Sequence, residues 1–276
     1  MLSSEYDGAL REGVFQLSNQ LNGGTMDGSP ILTDPEGLMD AARAVTGQVP
    51  QLAALGDAGR EEAARFILDD LFQLGPIEGL LRDPEVTEIM VNAPDQVFVE
   101  RRGKIVDSGV HFFDDEHIER TITKIVTADN RRCDTNSPMC DCTLHRAGEA
   151  FDGSRVNAVW KPIAVDHPLL DIRKFRNDML TPESLVEMGT MDVRCAEIIR
   201  ALVRGRMNII IVGGTGTGKT TLLNAASNYI PDGERIITVE DTSELNLAKE
   251  HVVREEARPA NSEGVGEITI RQLVKN

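Results

Sequence analysis

The run "VGGTGTGKTT", Val212 to Thr221, constrains this chain more than any other stretch. From Gly213 onward it fits the phosphate-loop spacing G-x-x-x-x-G-K-[ST]. The apolar residues Ile209 to Val212 lead straight into it, so the pattern predicts a strand over "MNIIIV" and a helix opening at Gly218-Lys219. Gly214, Gly216 and Gly218 let the backbone curl so that its N–H groups point inward at phosphate oxygens. The helix start adds a partial positive charge. Gly213, Gly214, Thr215, Gly216, Thr217, Gly218, Lys219, Thr220 and Thr221 are therefore expected to bind the phosphates of ATP. Lys219 should reach the β- and γ-phosphates, and Thr220 should ligate Mg2+ through its hydroxyl.

Phosphoryl transfer also needs carboxylates near the metal. "ERIITVED" reads as a strand ending in Glu240-Asp241. The residues alone leave two readings open: acids of the reaction centre, or ordinary loop acids after a strand. The following "HVVREEARPANSEGVGEITIRQLVKN" reads as polar and turn-rich, with a short helix at its end. The order helix (about Val193–Arg204, stopped by Gly205), strand, loop, helix, strand argues for a parallel α/β sheet.

Upstream the pattern differs. Residues 1–33 are rich in Gly, Ser and Asn and read as a flexible arm. Residues 34–75 read as helical. Asp34 caps, Pro35 takes the first position and Gly47 ends one helix; a second runs from Gly59 to Leu74, stopped by Gly75-Pro76. Residues 76–177 read as a small α+β domain. Short β-like runs ("VTEIMV", "VFVE", "KIVDSGV", "SRVNAVW", "LLDIRKF") flank a helix near Glu116–Ala128. "RNDMLTPESL" reads as a hinge, and residues 178–276 as the phosphate-loop domain.

The formal net charge is −16, which argues against broad nucleic-acid binding. No apolar run approaches the ~20 residues of a membrane span. A cytoplasmic protein is the expectation. Cys133, Cys140, Cys142 and His145 tempt a zinc reading, but paired C-x2–4-C knuckles are missing, so buried thiols are expected instead. Cys195 shares a helical face with Ile198, Ile199 and Leu202 and reads as core.

Several of these stretches carry a resemblance. "LGPIEGLLRDPEVTEIMVNAPDQVFVERRGK", "GSRVNAV", "IRKF", "NIIIVGGTGTGKTTLLNA", "ERIITVEDTSELNL" and "GEITIRQLVKN" resemble the type II/type IV secretion-system ATPases, in particular the tight-adherence (Flp) pilus branch, the CpaF-like proteins. The resemblance implies a hexameric ring ATPase at the cytoplasmic face of the inner membrane, working with a membrane platform protein. It implies a small N-terminal α+β domain followed by a RecA-like ATPase domain. It places Glu240 and Asp241 in the family's Asp box, Glu240 as a catalytic acid and Asp241 at the metal. It makes Arg155 and Arg173 arginine fingers, a role guanidinium suits. "CDCTLHRAGEAFDGSRV" is longer and richer in Cys than the family's turn, and His167 stands where Gly is usual. The family's Walker B strand and His box are expected beyond the last residue, so the RecA-like domain is expected to be incomplete.

Three function classes follow from this pattern. One is an energy-transducing secretion ATPase. Another is a small kinase, which needs an acceptor site and a lid. The last is a non-hydrolysing nucleotide-binding or oligomerising module that joins or caps a ring of complete subunits.

Overall fold

The computed structural model describes residues 2–23, 35–175, 180–214, 216–258 and 265–276. The chain divides into two units, Met1–Lys174 and Phe175–Asn276.

The first unit opens with helices α1 (Asp7–Gly23), α2 (Pro35–Gln48), α3 (Pro50–Ala53) and α4 (Asp57–Phe72). The expected flexible arm is corrected here for its first part. Leu10, Val14, Leu17 and Leu21 recur at helical spacing, and Ala9, Leu10 and Leu17 are buried against α2, α3 and α4. Gly13 permits the close approach, since a Cβ there would lie 2.7 Å from Ile67 Cδ1. The remainder of that arm, residues 24–33, and the cap at Asp34 lie outside the described residues.

After a 3-10 turn at Gly75–Ile77 come α5 (Glu78–Arg82) and the strands β1 (Val86–Ala93), β2 (Gln96–Arg101) and β3 (Lys104–Asp107). Helix α6 (Asp115–Ala128) crosses to β4 (Met139–Leu144), β5 (Ser154–Val159) and β6 (Leu169–Arg173). Two antiparallel meanders meet along β1 and β6, giving the order β3-β2-β1-β6-β5-β4. One face packs on α6 through Ile118, Ile122, Ile125 and Val126. Asp114 starts that helix by accepting the His117 N–H at 2.9 Å. Asp115 then holds both ends of the loop after β5, taking Lys161 Nζ and His167 Nδ1 at 2.7 Å each. Strand β4 was not expected; it lies inside the cysteine-rich stretch, and Cys140 and Cys142 alternate inward on it.

A buried contact joins the helical layer to the sheet layer. His117 Nε2 lies 2.6 Å from Asp70 Oδ1, with both side chains almost fully buried. The Phe113 N–H donates to His117 Nδ1 at 3.3 Å. Lys124 Nζ donates to the carbonyls of Asp70 and Gln73. Gly75, at φ +61°, passes so close that a Cβ would sit 3.1 Å from His117 Nε2. Burial works against the Asp70 charge, but the hydrogen bond and charge of His117, with Arg120 and Lys124, hold its carboxyl below the usual range.

The second unit contains α7 (Pro182–Glu187), α8 (Val193–Arg204), α9 (Lys219–Ser227), β7 (Ile236–Glu240), β8 (Val252–Glu256) and α10 (Ile270–Leu273). Strands β7 and β8 pair in parallel. The stretch read as turn-rich thus supplies β8. The strand expected over "MNIIIV" does not form. Among the described residues β7 pairs with β8 alone, and no strand hydrogen-bonds to residues 207–214, so Ile210 and Val212 stay exposed at 86% and 83%. Cys195 is also corrected: it is exposed, as are Ile198 and Leu202 on its helix. Among the described residues, the twelve largest fully buried side chains all belong to the first unit.

Two outcomes test this packing. Asp70→Asn should lower the unfolding free energy at pH 7 by ~3 kcal/mol, the cost of breaking a buried pair. A carboxyl held below its unfolded range contributes fully above that range, and the contribution is lost as pH falls through the folded value. The gap between parent and variant should therefore close on acidification below about pH 4; urea titrations followed by Trp160 fluorescence read it directly. Burial pushes the Cys133 thiol up to about 11. At pH 8 iodoacetamide should label Cys195 quickly and reach Cys133, Cys140 and Cys142 only after unfolding, as mass spectrometry of the peptides will show.

Candidate functional site

The phosphate loop takes the backbone its glycines allow. Gly216 and Gly218 adopt φ of +73° and +84°, a region costly for any residue with a Cβ. Gly218 is the N-cap of α9 and no side chain caps that end, so the first N–H groups of the helix are open to an anion. The loop is closed by Thr217 Oγ1 donating to the Gly214 carbonyl at 2.9 Å and by Lys219 Nζ donating to the same oxygen at 2.6 Å. A Cβ on Gly213 would meet Thr217 Oγ1 at 2.6 Å. Thr220 and Thr221 follow in the first turn of α9, both half-buried. Thr215 lies outside the described residues.

The two acids expected at the reaction centre and the metal, Glu240 and Asp241, stand at the end of β7 and just after it. Glu240 ends β7, and its Oε2 accepts the N–H groups of Glu244 and Leu245 at 2.7 and 2.9 Å. Asp241 is exposed. The acid beside Thr220 is instead Glu244, whose Oε2 accepts the Thr220 hydroxyl at 3.2 Å. Sequence reasoning missed Glu244. Its signal was its place four residues past Glu240, inside a turn that folds back over α9.

Arg155 and Arg173 lie in the first unit as direct cross-strand neighbours on β5 and β6. Glu88 of β1 faces Arg173 from the other side. Both arginines are exposed, on the sheet face away from α6. Cys133, Cys140 and Cys142 are buried in the core of that unit, while His145 turns outward to Asp129 at 3.0 Å.

The model for the family described as type II/IV secretion system protein matches residues 70–276. The chain belongs to that family. Among its relatives, a Mycobacterium tuberculosis protein named for conjugal transfer is 34% identical over 221 residues, 80% of this chain and 63% of its own length. The conjugal transfer protein TrbB of Rhizobium radiobacter is 33% identical over 178 residues, 63% of this chain and 52% of its own. The type IV secretion system protein VirB11 of Brucella suis is 29% identical over 200 residues, 64% of this chain and 54% of its own. This secretion-family chain thus spans less than two thirds of the length of these relatives. The crystal structure of the VirB11 ATPase from the Brucella suis type IV secretion system, in complex with sulphate, aligns at 26% identity with a TM-score of 0.38, over 68% of this chain and 64% of that one.

The residues present fit a nucleotide with a hard divalent cation. The loop offers curled backbone and an uncapped helix start for phosphate. The Thr220 hydroxyl and the Glu244 carboxylate are oxygen donors of the kind Mg2+ takes. Gly218→Ala should cost ~1–2 kcal/mol, because a Cβ is strained at its φ of +84°. Gly214→Ala, whose new Cβ would meet nothing closer than Thr217 Cγ2 at 3.8 Å, should cost far less. Thermal unfolding of the two variants side by side checks the contrast.

Proposed function

We propose that this chain is an ATP-binding subunit of a ring ATPase that couples ATP hydrolysis to protein export or pilus assembly. The observation that carries the reading is the conjunction at α9: an uncapped helix start, Lys219 on the loop, and Thr220 beside a carboxylate. Bound ATP supplies the transferable phosphoryl group, and Mg2+ supplies the positive charge that draws electrons from it. Lys219 exchanges its bond to the Gly214 carbonyl for phosphate oxygens. The α9 amides orient the phosphates. Thr220 and Glu244 would hold the cation through their oxygens. Asp241, exposed next to that turn, remains a candidate for the outer metal shell. Arg155 and Arg173 are the proposed phosphoryl-facing guanidiniums; their exposed side-by-side placement supports that role.

The reading extends to a hexamer, a RecA-like fold for the second unit, an inner-membrane platform partner and a place at the cytoplasmic face. No helix among the described residues is long and apolar enough to cross a membrane. Within the family, the tight-adherence pilus branch is proposed from the motif resemblance. A second reading is a nucleotide-binding or oligomerising module that hydrolyses little by itself and joins complete subunits. The exposed Ile209, Ile210 and Val212 beside the loop favour it.

Equilibrium binding of a fluorescent ATP analogue, with turnover measured alongside, tests both. Lys219→Ala should weaken binding by about tenfold or more, the worth of charge-assisted hydrogen bonds. Turnover that vanishes in this variant supports the motor, and binding without turnover supports the module. A parent protein that binds no nucleotide defeats both readings.

A further inference from the structure

The turn after β7 is assembled by side chains. Four consecutive backbone N–H groups, those of Ser243, Glu244, Leu245 and Asn246, each donate to a side-chain oxygen. Ser243 donates to Glu256 Oε2 at 3.2 Å. Glu244 and Leu245 donate to Glu240 Oε2. Asn246 donates to Asn224 Oδ1 at 3.1 Å. Glu240 and Glu256 are direct partners across the parallel pair β7–β8. Asn224 lies one turn along α9 from Thr220. The turn is thus tied at one end to the sheet and at the other to the helix that carries Lys219 and Thr220.

We infer that Glu240 is a positioning residue: its carboxylate fixes the turn that sets Glu244 against Thr220, with Glu256 and Asn224 completing the hold. The inference rests on the nucleotide site proposed above and assigns the metal-facing role to Glu244. Glu240 has one oxygen engaged by two N–H groups, and its other oxygen, Oε1, is buried without a hydrogen-bond partner among the described residues, so the Glu240→Gln variant below also asks whether it serves as a ligand. Oε1 is closed off from solvent. A carboxylate spent in this way acts through the residue it places. Because a neutral amide oxygen can accept the same two N–H groups, the role survives Glu→Gln, whereas metal ligation by a carboxylate does not.

The test uses the full chain, amide hydrogen exchange across residues 242–247, and ADP affinity with and without Mg2+. In Glu240→Ala, exchange at Glu244 and Leu245 should quicken about tenfold or more, and the gain in ADP affinity conferred by Mg2+ should shrink by about tenfold. Metal-free ADP affinity should stay within about twofold of the parent, a split that general unfolding does not give. Glu240→Gln should restore both readouts to within about threefold. Glu244→Gln should lose the Mg2+ gain and keep the protected amides. If Glu240→Gln loses the Mg2+ gain while its amides stay protected, Glu240 is a ligand and the inference is overturned. Unchanged exchange in Glu240→Ala overturns it as well. A parent that binds no ADP under either condition defeats the nucleotide reading, while the exchange comparison still decides the positioning role.

Discussion

The Asp70–His117 contact is the joint on which the first unit depends. Two hydrophobic clusters form there, one among α1–α4 and one between α6 and the six-stranded sheet. Apolar packing can hold each together, but it is non-directional and does not fix how they meet. A buried carboxylate and imidazole do, because each loses its solvent and must find the other. Gly75 leaves the room that contact needs, and Lys124 draws the end of α4 onto α6.

The second unit works on another principle. Its described residues bury few large side chains, and its candidate site is ordered by polar bonds. The loop's closure by Thr217 and Lys219, and the turn held by Glu240, Glu256 and Asn224, are short-range and directional. That suits a site meant to exchange its bonds. Lys219 already holds a carbonyl oxygen where an anion can compete for it.

What could be read from the sequence follows from the range of the forces involved. The phosphate loop was legible because glycine torsions and a helix start are local properties. The strands β1, β2, β5 and β6 and helix α6 were legible from period alone. Helix α1 was missed because its Gly and Asn residues masked a clear stripe at Leu10, Val14, Leu17 and Leu21. Strand β8 was missed because "VVREE" carries its charges on a half-exposed parallel pair. The strand over residues 207–212 was overcalled: apolar composition is local, but a strand exists only where a partner accepts its hydrogen bonds. Glu240 shows the same limit within the site. Its position after a strand marked it as important, while the bonds that define what it does come from the turn beyond it.

The parallel register of β7 and β8 sets Glu240 directly across from Glu256. Strand neighbours lie about 5 Å apart, a separation at which two anions repel unless something neutral but polar comes between. The donated N–H dipoles of residues 243–245 fill that need. Lifting the turn away removes donors from both carboxylates together, Ser243 from Glu256 and Glu244 with Leu245 from Glu240. The strand pairing beneath the turn thus brings together the two carboxylates that hold it.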